Sequence, residues 1–258
     1  MALVLTEEQT MLRDMAKQFF TEQVPVTNLR KLRDEESADG YDKAVWQQIV
    51  ELGFAGILIP EEQGGTGFGP IGLGIVMQEA GRTLAATPLY STAILGAGLI
   101  LAAGSDGQKA ELLPQIAGGE LLTALALEET AHHNPKQVAM TAAQDGDQII
   151  LSGQKNFVID GHIADKLIVV ARTSGAAGDA NGLSMFLVDA KAKGVTVTRT
   201  HMVDSRNAAM VSFDKVSIPA HDALGPLGAA MAELESVLDL GRACIAAEML
   251  GGIEAVFD

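Results

Sequence analysis

The chain has 258 residues, of which 48% are hydrophobic and 20% charged, so it is long enough for one large or two ordinary cores and too apolar to be disordered. Its formal net charge of -15 argues against nucleic acid or an anionic membrane surface as a partner. Cys244 is the only cysteine, so no internal disulfide can form. The start carries Glu7 and Glu8 rather than a basic signal segment, and the longest apolar run, 93–103, is too short to span a bilayer. We therefore expect a cytoplasmic location.

The first half of the chain predicts helices. Thr6 and Gln9 form a capping box in front of apolar residues at helical spacing. Asp42 begins a second helix, which ends at Gly53. The charged segment 30–40 between them predicts a loop or a short surface turn.

Turn and helix signals continue through the rest of this half. They predict a glycine-rich turn over 60–70, a helix from Pro70 to about Ala86, a helix over about 91–103, and a short helix that begins at Ser105 in a capping box with Gln108 and ends before Pro114. The run 64–67 within the turn lacks the lysine and the preceding strand of a phosphate-binding loop, so a structural turn is the favoured interpretation.

From Leu121 onward the pattern becomes strand-like. Strands are predicted over 121–127, 138–143, 148–151, 156–159, 166–171, 184–188, 195–199 and 209–213. Asp145-Gly146 and Ser152-Gly153 predict tight turns between strands, and 174–182 predicts a loop. Many short strands with such turns favour a sandwich or a small barrel.

A last apolar helix is predicted from about Ala229 to Phe257. It is apolar on more than one side, so we expect it to pack against a partner or to fray. The whole pattern predicts an α+β multidomain protein. Its parts are an N-terminal all-α helical domain (1–120), a middle antiparallel β-barrel or sandwich domain (121–228), and the first helix of a C-terminal α-helical bundle (229–258), the remainder of which we expect to lie beyond this chain.

Few residues indicate chemistry by themselves. His132 and His133 are adjacent, do not face one another on a strand, and have no acidic or cysteine partner at ligand spacing, so a solvated loop is favoured over a metal site. Glu128 and Glu129 offer a carboxylate pair, for which exposed surface is the favoured interpretation.

Several segments, taken together and in order, resemble the acyl-CoA dehydrogenase family. The most distinctive is LGFAGILIPEEQGGTG at 52–67, which resembles the family's LG-x-x-G-x-x-x-PEE-x-GG-x-G signature. The other matching segments are 104–120, 151–155, 164–173, 184–194, 213–225 and 242–251. The resemblance covers nearly the whole chain.

The resemblance implies FAD as cofactor and an acyl-CoA thioester as substrate, from which an α-proton and a β-hydride are removed. It places the flavin against the strand 124–129 and a second strand that includes Phe157. The implied cofactor-binding residues are Leu125, Leu127, Glu128, Phe157, Val158 and Ile159. No catalytic residue can be named, because the base is expected in the C-terminal domain. Implied partners are further subunits of the same family, in a homo- or hetero-oligomer, and an electron-transfer flavoprotein.

The chain departs from the family pattern at the flavin. Glu128 replaces a threonine, a Gly-Ser-Asp run is absent after it, and Ile159 lacks the hydroxyl that the family places near the flavin N5. The sequence FVIDG at 157–161 resembles a divergent bacterial branch of the family. Members of this branch are often one subunit of a heteromeric enzyme that acts on bulky or dicarboxylic acyl-CoAs.

Three hypotheses follow. The favoured one is an FAD-dependent acyl-CoA dehydrogenase or one subunit of it. The second is a non-catalytic structural subunit of a heteromeric enzyme. The third is a flavin oxidase or monooxygenase on the same scaffold, which would consume oxygen without another electron acceptor.

Overall fold

The structure is a computed structural model, and it describes residues 4–257. Its first half is helical. The helices are α1 (Glu7–Gln23), α2 (Val26–Asp34), α3 (Lys43–Glu51), α4 (Gly69–Arg82), a π-helical segment (Leu89–Gly96) that continues into α5 (Ala97–Ala103), and α6 (Asp106–Ala117). Both predicted capping boxes are present, because the Thr6 and Ser105 hydroxyls accept from the backbones of Gln9 and Gln108.

Two predictions for this half were wrong. The segment predicted as a loop over 30–40 begins inside α2, a surface helix with no buried residue, so apolar periodicity carries no signal for it. Helix α6 does not end before Pro114 but continues to Ala117. Burial of Leu113 and Ile116 on either side of the proline offsets the backbone hydrogen bond that it removes.

The second half forms one eight-stranded sheet. The strands are β1 (Thr123–Ala126), β2 (Thr141–Asp145), β3 (Gln148–Ile159), β4 (Lys166–Arg172), β5 (Leu183–Asp189), β6 (Val195–His201), β7 (Asn207–Pro219) and β8 (Ala223–Leu224). Their order is β6-β7-β3-β2-β4-β5-β8, with β1 paired to β4. Most pairs are antiparallel as predicted, while β1–β4 and the short β2–β4 contact are parallel.

Strand β3 replaces two predicted strands. Ser152-Gly153 is not a turn but lies inside β3, at a register shift against β7. A Cβ on Gly153 would lie 2.7 Å from Met140 Cγ, so glycine is needed there for close packing rather than for a chain reversal. A second shift, between Lys155 and Val158, leaves Phe157 with a φ of 51°. This bulge turns the end of β3 away from a regular sheet.

The last helix, α7 (Met231–Phe257), packs against α4. The two backbones approach closely, because a Cβ on Gly251 would lie 1.8 Å from the Gln78 carbonyl and a Cβ on Gly81 would lie 2.0 Å from the Glu248 carbonyl. The expectation of a partner for this helix is thus met inside the chain for one face, while Met249 and Ile253 on another face are exposed.

Within residues 4–257, no helix combines the length and the apolar character needed to cross a membrane. The division of the chain at 120 and at 228 into domains stays a prediction, since one continuous apolar core extends from Leu12 in α1 to Cys244 in α7.

The glycine contact between α4 and α7 can be tested by adding one methyl group. Gly251→Ala should lower the free energy of unfolding by about 3 kcal/mol, because neither backbone can retreat from the added atom. Gly74→Ala on the outer side of α4 is the matched control. Its Cβ meets nothing within 4 Å, so it should raise stability by about 0.5–1 kcal/mol. Denaturant unfolding of both variants measures the difference, and equal effects would contradict the contact.

Candidate functional site

A cavity of about 730 Å³ lies between the helices and one end of the sheet. One wall is formed by Gly81 and Leu84 at the end of α4, with Tyr90 beyond them. The loop after β1, the end of β3 and the loop between β6 and β7 form the sheet side. Ile245, Glu248, Met249 and Gly252 of α7 close the opposite side.

The end of β3 presents two apolar side chains to this cavity. Phe157 is 44% exposed and Ile159 is 40% exposed, on either side of the buried Val158. The positive φ of Phe157 in the bulge directs this segment toward the cavity. A half-exposed aromatic ring on a cavity wall is a surface that a planar ligand can cover.

Asp160 ends this wall as a buried carboxyl group. It accepts a hydrogen bond of 2.6 Å from the Ser91 hydroxyl, which links the sheet to the π-helical segment. Burial raises the pKa of Asp160 to about 6, against the opposing effects of Ser91 and the nearby Arg206. The carboxyl group therefore exchanges its proton close to neutral pH.

The loop after β1 is fixed by a buried ion pair. Lys155 Nζ, on a side chain with no exposed surface, lies 2.6 Å from Glu129 Oε1 and donates to the Leu127 carbonyl at 3.0 Å. Glu129 also accepts from the backbone N–H groups of Ala139 and Met140. Burial lowers the pKa of Lys155 to about 8, partly offset by Glu129. The interpretation of Glu128 and Glu129 as exposed surface was wrong, since their side chains are only 19% and 13% exposed.

Glu128 and His133 connect this loop to α7. His133 Nδ1 lies 2.5 Å from Glu128 Oε1, and His133 Nε2 lies 3.1 Å from Arg242 Nη2. Arg242 can only donate, so Nε2 accepts and the Nδ1–H donates to Glu128, which defines a neutral tautomer. His132 and His133 lie in an exposed loop, as predicted, and no group of metal-binding side chains occurs among residues 4–257.

Three of the predicted cofactor-binding residues, Glu128, Phe157 and Ile159, line the cavity. The side chains of Leu125, Leu127 and Val158 are buried behind this wall and leave only backbone groups for a ligand.

Sequence reasoning missed Tyr90, Arg206 and Glu248, which also line the cavity. Arg206 forms an ion pair with Glu248 across 42 residues of sequence, so no local pattern could indicate it. Burial raises the pKa of Tyr90 to about 12, so its hydroxyl stays a hydrogen-bond donor at neutral pH.

The comparisons with known proteins establish the family. Residues 6–120 match the model of the acyl-CoA dehydrogenase N-terminal domain, and residues 124–216 match that of the acyl-CoA dehydrogenase middle domain. The chain therefore belongs to the acyl-CoA dehydrogenase family, as its motifs predicted.

Relatives and solved structures agree in fold and differ in activity. Cyclohex-1-ene-1-carbonyl-CoA dehydrogenase of Geobacter metallireducens is 31% identical over 98% of this chain and 67% of its own length. Subunit CarC of the caffeyl-CoA reductase-Etf complex of Acetobacterium woodii is 27% identical over 99% of this chain and 68% of its own length. The structure of a glutaryl-coenzyme A dehydrogenase with glutaryl-CoA superposes with a TM-score of 0.86 at 26% identity, covering 99% of this chain and 66% of that one. This chain thus spans about two thirds of the length of these proteins.

The family consists of FAD-binding flavoproteins, and the cavity fits the ring of that cofactor. Within the described part of the chain, the backbone N–H groups of Glu128, Thr130 and Ala131 donate no hydrogen bond to other protein groups. The flavin ring carries the carbonyl and nitrogen acceptors that such groups need, and the exposed ring of Phe157 offers a surface for stacking.

The buried acid Asp160 gives a pH-dependent prediction. Its pKa is about 6 in the folded chain and 3.8 as the reference value, so its stabilising effect is complete below about pH 4 and is lost as the pH rises through 6. Asp160→Asn replaces the carboxyl group by an amide, which does not titrate in this pH range. Between about pH 4 and pH 7, the unfolding free energy of Asp160→Asn should therefore gain about 2 kcal/mol relative to that of the wild type.

Denaturant titrations at both pH values measure this change. Asp147→Asn, at an exposed turn position, is the control and should follow the wild type. A constant difference between Asp160→Asn and the wild type across the range would show that Asp160 titrates as an exposed carboxyl group.

Proposed function

We propose that this chain binds FAD and an acyl-CoA thioester in the cavity and takes part in α,β-dehydrogenation of the acyl group. The observation that carries the proposal is the cavity wall made by unpaired backbone donors beside the exposed Phe157. Family membership supports the same reaction class. A cytoplasmic location belongs to the same proposal, supported by the single, buried cysteine.

In this proposal the cofactor-binding residues are those of the two strand ends. Phe157 stacks on the flavin ring, Ile159 packs beside it, and Glu128 contributes its backbone N–H group. Leu125, Leu127 and Val158 shape the wall from behind, since their side chains are buried. When bound, FAD supplies the acceptor for the hydride that leaves the acyl β-carbon.

The chain's own residues position and enclose this site. The Lys155–Glu129 pair holds the loop after β1 at a fixed distance from β3, so the donors on that loop keep their direction. Helix α7 lines the opposite side with Ile245 and Met249, which offer apolar contacts to an acyl group.

The proposal includes partners. The related CarC protein is by name a subunit of an Etf complex, which supports an electron-transfer flavoprotein as the acceptor of electrons from this chain. Exposed Met249, Leu250 and Ile253 on α7 support a homo- or hetero-oligomer with another family subunit.

A second candidate, a non-catalytic subunit, is favoured by two side chains of the cavity, Glu128 and Ile159. Glu128 presents a carboxylate at the cavity where the family resemblance implies a threonine, and this carboxylate is bound to His133. Ile159 likewise presents an apolar side chain in place of a hydroxyl group. Such a chain would keep the fold of the family and act as a structural subunit that binds a catalytically active partner.

A visible absorption spectrum after gel filtration with FAD tests the first candidate. The wild-type chain should retain a flavin band. Phe157→Ala should weaken FAD binding about tenfold, because the stacking surface is lost. Phe68→Ala is the matched control, since Phe68 is similarly exposed, at 40%, and lies outside the cavity. Equal retention in both variants would contradict the role of Phe157.

The second candidate predicts a rescue. If Glu128 and Ile159 have removed flavin binding, a colourless wild-type chain should become yellow when both are replaced, as Glu128→Thr with Ile159→Thr. A flavin band in the wild type that the double variant leaves unchanged would reject this candidate.

A further inference from the structure

The cavity is rich in carboxylates. Glu128, Asp160, Asp204 and Glu248 line it. Among the described residues of the lining, Arg206 supplies the one guanidinium or ammonium group. An acyl group that ends in a carboxylate would enter a space that is already acidic, and it would need Arg206 as its partner.

Arg206 is already bound within the protein. Its Nη2 atom pairs with Glu248 Oε1, and the Glu248 side chain is only 14% exposed. Asp204 lies on the same loop, where it accepts from the backbone N–H of Arg206 at 3.0 Å. A carboxylate-bearing ligand would therefore meet an arginine whose charge is already paired with Glu248, beside the other carboxylates of the lining.

The remaining surface suits an uncharged group. Leu84 is 45% exposed and Met249 is 63% exposed, and both line the cavity together with Ile245 and Phe157. Apolar side chains left open on a cavity wall gain free energy when an apolar ligand covers them.

We propose that Glu248 is a specificity-determining residue, which restricts the cavity to uncharged acyl groups by occupying Arg206. This inference rests on the proposed function, because it takes an acyl-CoA as the ligand. Of the two substrate types that the sequence suggested, it selects bulky uncharged acyl groups over dicarboxylic ones.

Calorimetric titration of the FAD-supplemented chain with two thioesters of equal carbon number tests the proposal. The wild type should bind glutaryl-CoA about tenfold more weakly than pentanoyl-CoA. Glu248→Gln keeps the shape of the side chain and releases Arg206, so glutaryl-CoA should gain about tenfold and pentanoyl-CoA should not.

Glu235→Gln is the matched control. Glu235 lies on the same helix and also pairs with an arginine, Arg242 at 2.9 Å, but it does not line this cavity. For Glu235→Gln, the ratio of the dissociation constants of glutaryl-CoA and pentanoyl-CoA should equal that of the wild type. Arg206→Gln gives a further measure, because it leaves Glu248 uncompensated and should widen the ratio.

The outcomes separate this inference from the proposed function. Equal binding of both thioesters by the wild type, or an unchanged ratio in Glu248→Gln, would overturn the inference alone. Failure of both thioesters to bind any variant would overturn the assignment of an acyl-CoA ligand, and the inference with it.

Discussion

The close approach of α7 to α4 is the contact on which the cavity depends. At Gly81 and Gly251 the backbone of one helix meets the backbone of the other, with no room for a side chain between them. Backbone contacts of this kind cannot adapt by choosing another rotamer, so they fix both the distance and the rotation of α7. Glu248 and Met249 precede Gly251 by less than one turn, and the same contact therefore sets their height above Phe157. The width of the cavity is thus decided on the helical side by two glycines.

The sheet side is fixed by a different kind of interaction. Lys155 and Glu129 form an ion pair that is almost completely buried. Glu129 also accepts hydrogen bonds from the backbone N–H groups of Ala139 and Met140. Removing one member of such a pair leaves a buried charge and typically costs about 3–5 kcal/mol. The main effect of the pair is on geometry. It fixes the orientation of the loop after β1, so that the free backbone N–H groups of this loop stay beside the bulge at Phe157. Rigid elements on both sides are what a preformed binding site requires.

Much of the fold followed from the sequence, and the failures have physical reasons. Capping boxes at Thr6 and Ser105 were recognisable because side chain and backbone meet within three residues. Helix α2 was missed because it buries nothing, and the continuity of β3 through Gly153 was missed because glycine permits a bulge as readily as a turn. At the site, motif position located Glu128, Phe157 and Ile159 near one another. It could not find Arg206 and Glu248, whose pairing exists only after α7 has packed against α4 and reached the loop before β7.

Cys244 gives this docking a chemical reporter. It lies on α7, is 1% exposed, and burial raises the pKa of its thiol to about 11. Alkylating reagents attack the thiolate, so the native chain shields this atom twice, by access and by ionisation. No second cysteine competes for the reagent. The rate at which Cys244 is alkylated in the unmodified protein therefore reports how often α7 opens away from its neighbours. A ligand that contacts both α7 and the sheet will lower this rate in proportion to its occupancy.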